Sequence, residues 1–230
     1  MSAPSTLRWW ADGEVFFAGA LDRLTEADLD RPSLLAGWPR RSVIAHVARN
    51  ADALGNLLTW ARTGEETPMY PSPEARDAAI ADTAALAAHE LMADCRAAGQ
   101  RLAAAIGGLP DTAWAAVVRT AQGRSVPAAE VPWMRCREVW VHGVDLDAGA
   151  GFAAVPDDVL AALIDDVLRA WHRRGEAPDV TLAAGSHRWG TGRLTVTGRL
   201  ADLAAWVTGR SPGADRLQVD GAPPLLPPWL

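Results

Sequence analysis

The chain has 230 residues, of which 49% are hydrophobic and 22% charged, with a net charge of −6. That length accommodates one large or two small domains with a buried core, and the composition is ordinary for a soluble globular protein. The charge leaves no basic footprint for nucleic acid, and no apolar run approaches the ~20 residues needed to span a bilayer.

In chain order, the first two-thirds read as long helices. Trp9, Trp10, Phe16, Phe17 and Leu21 recur near helical spacing, predicting a helix over about 6–24. Pro32 and Gly37 mark a loop, and Pro39 suits the start of a second helix, running to about Arg62 and ending at Gly64. Glu65 to Ser72, with Pro68 and Pro71, is an exposed turn. Ser72 and Pro73 make an N-cap and first-turn pair, opening one long helix to about Ile106. Gly107, Gly108 and Pro110 stop it, and a fourth helix spans about 128–146, with Pro132 in its first turn. This is the inventory of a four-helix bundle.

Beyond Gly149 and Gly151 the pattern changes. A helix is expected over 156–174, short strands over 179–184 and 193–197, a short helix over 200–208 and a last strand over 216–219. The Pro223-Pro224 and Pro227-Pro228 tail should be extended. The predicted organisation is α+β: a helical domain over 1–150 and a small α+β domain over 151–230.

The segment Trp133-Met134-Arg135-Cys136-Arg137-Glu138-Val139-Trp140-Val141-His142 carries the chemistry. Glu138 and His142 are four apart, so on a helix they share one face. His46 occupies a similar apolar helical run, Ile44-Ala45-His46-Val47-Ala48-Arg49-Asn50. Two His and one Glu suit zinc or a similar divalent ion, and three protein ligands leave a fourth position open, as catalytic sites do. A histidine on an apolar face is more often a hydrogen-bonded core residue than a ligand. Two observations favour the metal. The histidines fall on facing helices of a bundle, and an unpaired buried Glu138 would be costly. Asn50 and Asp145 lie one turn from His46 and His142, where either could orient a ligand. His89 should face solvent, His172 should complement a helix C-terminus, and His187 should lie in a turn.

The remaining signals carry less. The loop Gly64-Glu65-Glu66-Thr67-Pro68-Met69-Tyr70, with Arg76 beyond it, reads equally as a solvated connection. In Trp206-Val207-Thr208-Gly209-Arg210-Ser211-Pro212-Gly213, Arg210 is either a solvated neighbour of a helix end or a two-point clamp for a carboxylate. The 11 Trp are mostly expected to fill the core. The N-terminus lacks a basic segment followed by an apolar core, so no signal peptide is expected. Cys95 and Cys136 lack CxxC spacing and make no disulfide framework; a cytoplasmic setting is expected.

Taken together, Leu34-Leu35-Ala36-Gly37-Trp38, Ile44 to Asn50, Gly64 to Tyr70, Ser72-Pro73-Glu74-Ala75-Arg76, Thr120-Ala121-Gln122-Gly123-Arg124 and Trp133 to His142 resemble the mycothiol-dependent maleylpyruvate isomerase family. The resemblance spans nearly the whole chain, loosely over 152–197. It implies a DinB-like four-helix bundle followed by a small sterol-carrier-protein-like α+β domain. It also implies a divalent metal, zinc first, on His46, Glu138 and His142. Its catalytic arginine maps onto Arg210, which would hold a carboxylate of substrate or cosubstrate in a cleft between the domains. The implied reaction turns maleylpyruvate into fumarylpyruvate in gentisate degradation. Mycothiol adds to the conjugated alkene, the resulting single bond rotates, and elimination restores the alkene. The expected partners are therefore two small molecules, the protein itself being a monomer without nucleic-acid or membrane partners. A mycothiol-dependent S-transferase or detoxification enzyme of the same build is the alternative.

Overall fold

The computed structural model describes residues 3–210, 216–221 and 224–229. Ser211, Pro212, Gly213 and Pro223, named above, lie outside the described residues. The chain divides into two compact units, Met1–Gly149 and Ala150–Leu230.

In the first unit α1 (Ala3–Leu21), α2 (Arg40–Thr63), α4 (Ala88–Gly107) and α5 (Val131–Asp145) are the long helices, and α3 (Pro73–Ala84) packs on α2. The main pairings are α1 with α5 and α2 with α4, and α2 also meets α5. On α2 the residues Val43, Ile44, Val47, Leu54, Leu57 and Leu58 are fully buried, which is the apolar stripe the sequence spacing predicts. Pro39 enters extended and Gly64, at φ 78°, closes the helix by donating its N–H to the Trp60 carbonyl at 2.8 Å.

The α1–α5 contact is close because two glycines permit it. A Cβ at Gly13 would come within 2.7 Å of Val139 Cγ2, and one at Gly143 within 2.6 Å of the Phe16 ring. Around this seam the tryptophans do fill the core: Trp9, Trp133 and Trp140 are buried, and Trp140 Nε1 donates to the Trp9 carbonyl at 2.9 Å.

In this unit two elements differ from the sequence expectation. The single helix from Pro73 to Ile106 is two helices, broken at Ala85-Leu86-Ala87. Ser72 caps the first by accepting the Ala75 N–H. At the break Arg41 donates to the carbonyls of Ala84 and Leu86, while Glu90 accepts the Ala87 N–H at 3.2 Å. The alanine-rich run contains no Gly or Pro there, so a distant arginine, not a local breaker, makes the interruption possible. The region before α5 holds an unforeseen hairpin, β1 (Val117–Arg119) with β2 (Ser125–Pro127), antiparallel, turning at Gly123 with φ 77°. Each strand has three residues with a single inward one, Val118 or Val126, too few to show alternation.

The second unit packs α6 (Asp157–Arg174) against α7 (Leu200–Val207) beside a four-stranded sheet. The strand order is β4 (His187–Trp189), β3 (Val180–Ala184), β5 (Leu194–Thr197), β6 (Gln218–Val219), with β3 and β5 parallel and the others antiparallel. His187 opens a strand where the sequence suggested a turn, and its exposed ring stacks on Trp189 at 5.5 Å. The tail from Pro224 to Trp229 has no regular structure but is pinned to α6. Trp171, fully buried, donates to the Pro228 carbonyl at 3.1 Å, and Arg174 donates to the Trp229 carbonyl at 3.1 Å.

Candidate metal centre

His46 sits in the second turn of α2, and Glu138 and His142 sit one turn apart on α5. Their packing brings the three side chains to one point. His46 Nε2 lies 2.9 Å from Glu138 Oε2, and His142 Nε2 lies 3.3 Å from the same oxygen. One ligand atom from each residue falls within 4.8 Å of the others, and the two imidazole rings are 4.8 Å apart at 81°. The side chains are only 13%, 10% and 11% exposed, in the order His46, Glu138, His142.

Such a cluster must satisfy its charges internally. Burial works against the Glu138 carboxylate, but hydrogen bonds from His142 and His46 overcome it and hold its carboxyl well below the usual range. Burial likewise disfavours a charged imidazole at both histidines. At His46 it prevails over the Glu138 hydrogen bond and the pKa falls; at His142 the bonds to Asp145 and Glu138 prevail and it rises.

Asp145 is fully buried and takes the second nitrogen of His142, Oδ2 to Nδ1 at 2.8 Å, leaving Nε2 aimed at Glu138. That is the orienting role the sequence spacing suggested. Asn50 does not serve His46. Its Oδ1 accepts from Arg135 at 3.2 Å. Arg135, 1% exposed, also donates to the Val47 carbonyl at 2.7 Å and to Glu14 at 2.8 Å, tying α5 to α2 and α1 beside the cluster.

Two neighbours of His46, with Tyr70 beside one of them, could not be placed from the spacing of its own helix. Trp38 stands edge-on to its ring at 5.9 Å. Arg76 Nη2 donates to Nδ1 across 3.4 Å, a long bond, and the guanidinium lies 5.9 Å from the Tyr70 ring centroid. The Tyr70 hydroxyl is pushed up to about 12 by burial, reinforced by the Glu138 charge, so it stays protonated. The loop carrying Tyr70 is anchored as well as exposed: Asn56 donates to the Pro68 carbonyl at 3.3 Å, and the Ala121 N–H meets Met69 Sδ at 3.2 Å. The signals for these residues were the segments Leu34 to Trp38, Gly64 to Tyr70 and Ser72 to Arg76 that carry the family resemblance.

The other candidates lie elsewhere. His89, His172 and His187 are exposed. Cys95 and Cys136 are buried, and burial pushes the Cys95 thiol up to about 12. Arg210 belongs to the second unit, just past α7. Gly209, at φ 74°, donates to the Trp206 carbonyl and the Arg210 N–H to the Ala205 carbonyl, closing the helix end. The half-buried Arg210 guanidinium donates to the Thr208 carbonyl at 2.6 Å and lies 5.9 Å from the Trp229 ring centroid.

Two imidazoles and one carboxylate converging in a nearly buried pocket, with one imidazole held by a second carboxylate, form a donor set that fits a divalent ion such as zinc. Among the described residues no other group of three or more His, Cys, Asp or Glu side chains does so. No helix among the described residues is long and apolar enough to cross a membrane.

The family model for the mycothiol maleylpyruvate isomerase N-terminal domain matches residues 10–147. Two crystal structures, of a mycothiol-dependent maleylpyruvate isomerase and of a histidine-to-alanine mutant of it, align with TM-score 0.93 and 38% identity. Each alignment covers 100% of this chain and 98% of the other. A search of proteins with curated functions returned no match. A family model over more than half the chain and a full-length match at 38% identity agree, and the chain belongs to the mycothiol-dependent maleylpyruvate isomerase family of enzymes.

Proposed function

We propose that this enzyme converts maleylpyruvate to fumarylpyruvate with mycothiol as cosubstrate, at a divalent ion held by His46, Glu138 and His142, within gentisate degradation in the cytoplasm. The observation that carries the reading is the convergence of those three side chains in a member of this family. When bound, the ion would favour the thiolate of a thiol whose free pKa is ~8.5, or polarise the oxygens of the substrate. The protein's own residues supply the rest. Asp145 keeps His142 in the tautomer whose Nε2 faces the cluster. Glu138 stays ionised and balances the charge. The two cysteines are buried, and the Cys95 thiol is raised, which supports an external nucleophile. Arg210 would bind a carboxylate of the substrate, its helix end fixed by the Gly209 turn.

The test follows the ultraviolet absorbance of maleylpyruvate with purified protein, with and without mycothiol, before and after chelation. Conversion that needs both thiol and metal is expected. Bound metal without isomerisation would favour the S-transferase alternative, and no bound metal would remove the centre. Arg210→Ala should cut isomerase activity without changing metal content; full activity would remove Arg210 from the reaction.

A further inference from the structure

The proposed substrate is a dicarboxylate. The first unit offers a cation for one of its carboxylates at the centre itself. Arg76, in the first turn of α3, lies beside His46 with a one-third-exposed side chain over Tyr70. Other arginines around the helical core are committed to carboxylates: Arg49 to Asp94 at 2.6 Å, Arg135 to Glu14, and Arg40 to Asp28 at 3.5 Å.

Besides its bond with the Tyr70 side chain, the bonds Arg76 makes are the replaceable kind. Its carboxylate partner is Asp77, the next residue in the chain, at 2.7 Å and 72% exposed. Exposed ion pairs contribute little, and the 3.4 Å contact to His46 is beyond good hydrogen-bond length. A bidentate carboxylate in a half-buried pocket makes shorter and stronger bonds to the same fork. Packing over Tyr70 restricts the guanidinium plane in advance, so little freedom is lost when an anion arrives.

We propose that Arg76 is a substrate-binding residue that takes one carboxylate of the dicarboxylate acceptor and sets it beside His46. This rests on the isomerase reading for the identity of the substrate, but the anion site can be tested without turnover. The probe is maleate, titrated against the wild-type protein, Arg76→Gln and Arg76→Lys, and followed by tryptophan fluorescence, to which Trp38 beside His46 should contribute. Loss of a hydrogen bond to a charged group predicts that Arg76→Gln weakens maleate binding about ten- to a hundredfold and raises the maleylpyruvate KM similarly. The mycothiol KM, bound metal and melting temperature should stay at wild-type values, with Arg76→Lys recovering part of the loss. Unchanged maleate affinity in Arg76→Gln, or no maleate binding by the wild type, overturns the proposal. So does a defect confined to the mycothiol KM or accompanied by metal loss. Maleate binding that depends on Arg76 in a protein that isomerises nothing would leave the anion site standing and remove the isomerase reading instead.

Discussion

In the first unit the candidate groups sit within long helices and are nearly buried: Glu138 and His142 share one face of α5, and His46 meets them from α2. In the second unit Arg210 stands just beyond the end of an eight-residue helix, half-buried and bonded to its own loop. The first arrangement aims side chains by tertiary packing, through a buried arginine and a buried aspartate. The second aims one side chain by local backbone geometry, through a glycine in the left-handed region. A ligand set for an ion tolerates little displacement, which long packed helices can guarantee. An anion clamp on a flexible stem needs only a fixed base.

The largest effect should come from breaking the first arrangement at its centre. Glu138→Ala removes the oxygen that both histidines face, and we expect bound metal to be lost and kcat to fall about 10³-fold. Metal analysis beside kinetics checks it, and full metal content would argue against the ligand assignment. Arg135→Met comes next. It removes the buried partner of Asn50 Oδ1 and the Val47 carbonyl and leaves Glu14, a quarter exposed, with only its bond from Trp10, so about 2 kcal/mol of unfolding free energy should disappear in a urea titration. Asp145→Asn keeps the shape but not the charge that holds His142 Nδ1. A 10–100-fold weaker metal affinity is expected, with little change in fold by circular dichroism. The smallest is on the other side of the comparison. Gly209→Ala puts a Cβ at φ 74° and should cost about 1–2 kcal/mol, lowering activity through Arg210 while metal content stays constant. If metal binding falls with it, the two arrangements are not separable.

Much of this was legible from residue spacing. The four long helices, the α+β second unit and the convergence of His46 with Glu138 and His142 follow from apolar periodicity and a four-residue interval. Asp145 was legible for the same reason, since its partner is on its own helix. What failed depends on partners far along the chain. Asn50 has the right spacing for His46, but Arg135 on α5 claims its oxygen. The α3–α4 break answers to Arg41, some forty residues away. The β1–β2 hairpin was too short for any alternation to register. Trp38 and Arg76 reach His46 from a loop and from the start of α3, with Tyr70 against Arg76, where no periodicity connects them to α2.

The bond from Arg135 to the Val47 carbonyl, together with the glycine-permitted contact of α1 and α5, bears on how the helical unit breathes. No segment holding the histidines can fray alone, because α2, α5 and α1 are fastened beside the centre. Backbone amides around 44–50 and 138–143 should therefore exchange with deuterium at one common, slow rate, set by opening of the whole helical unit. The short α7, closed by its own local turn at Gly209, should exchange faster and independently, so one labelling time course would separate the two parts of the enzyme by their clocks.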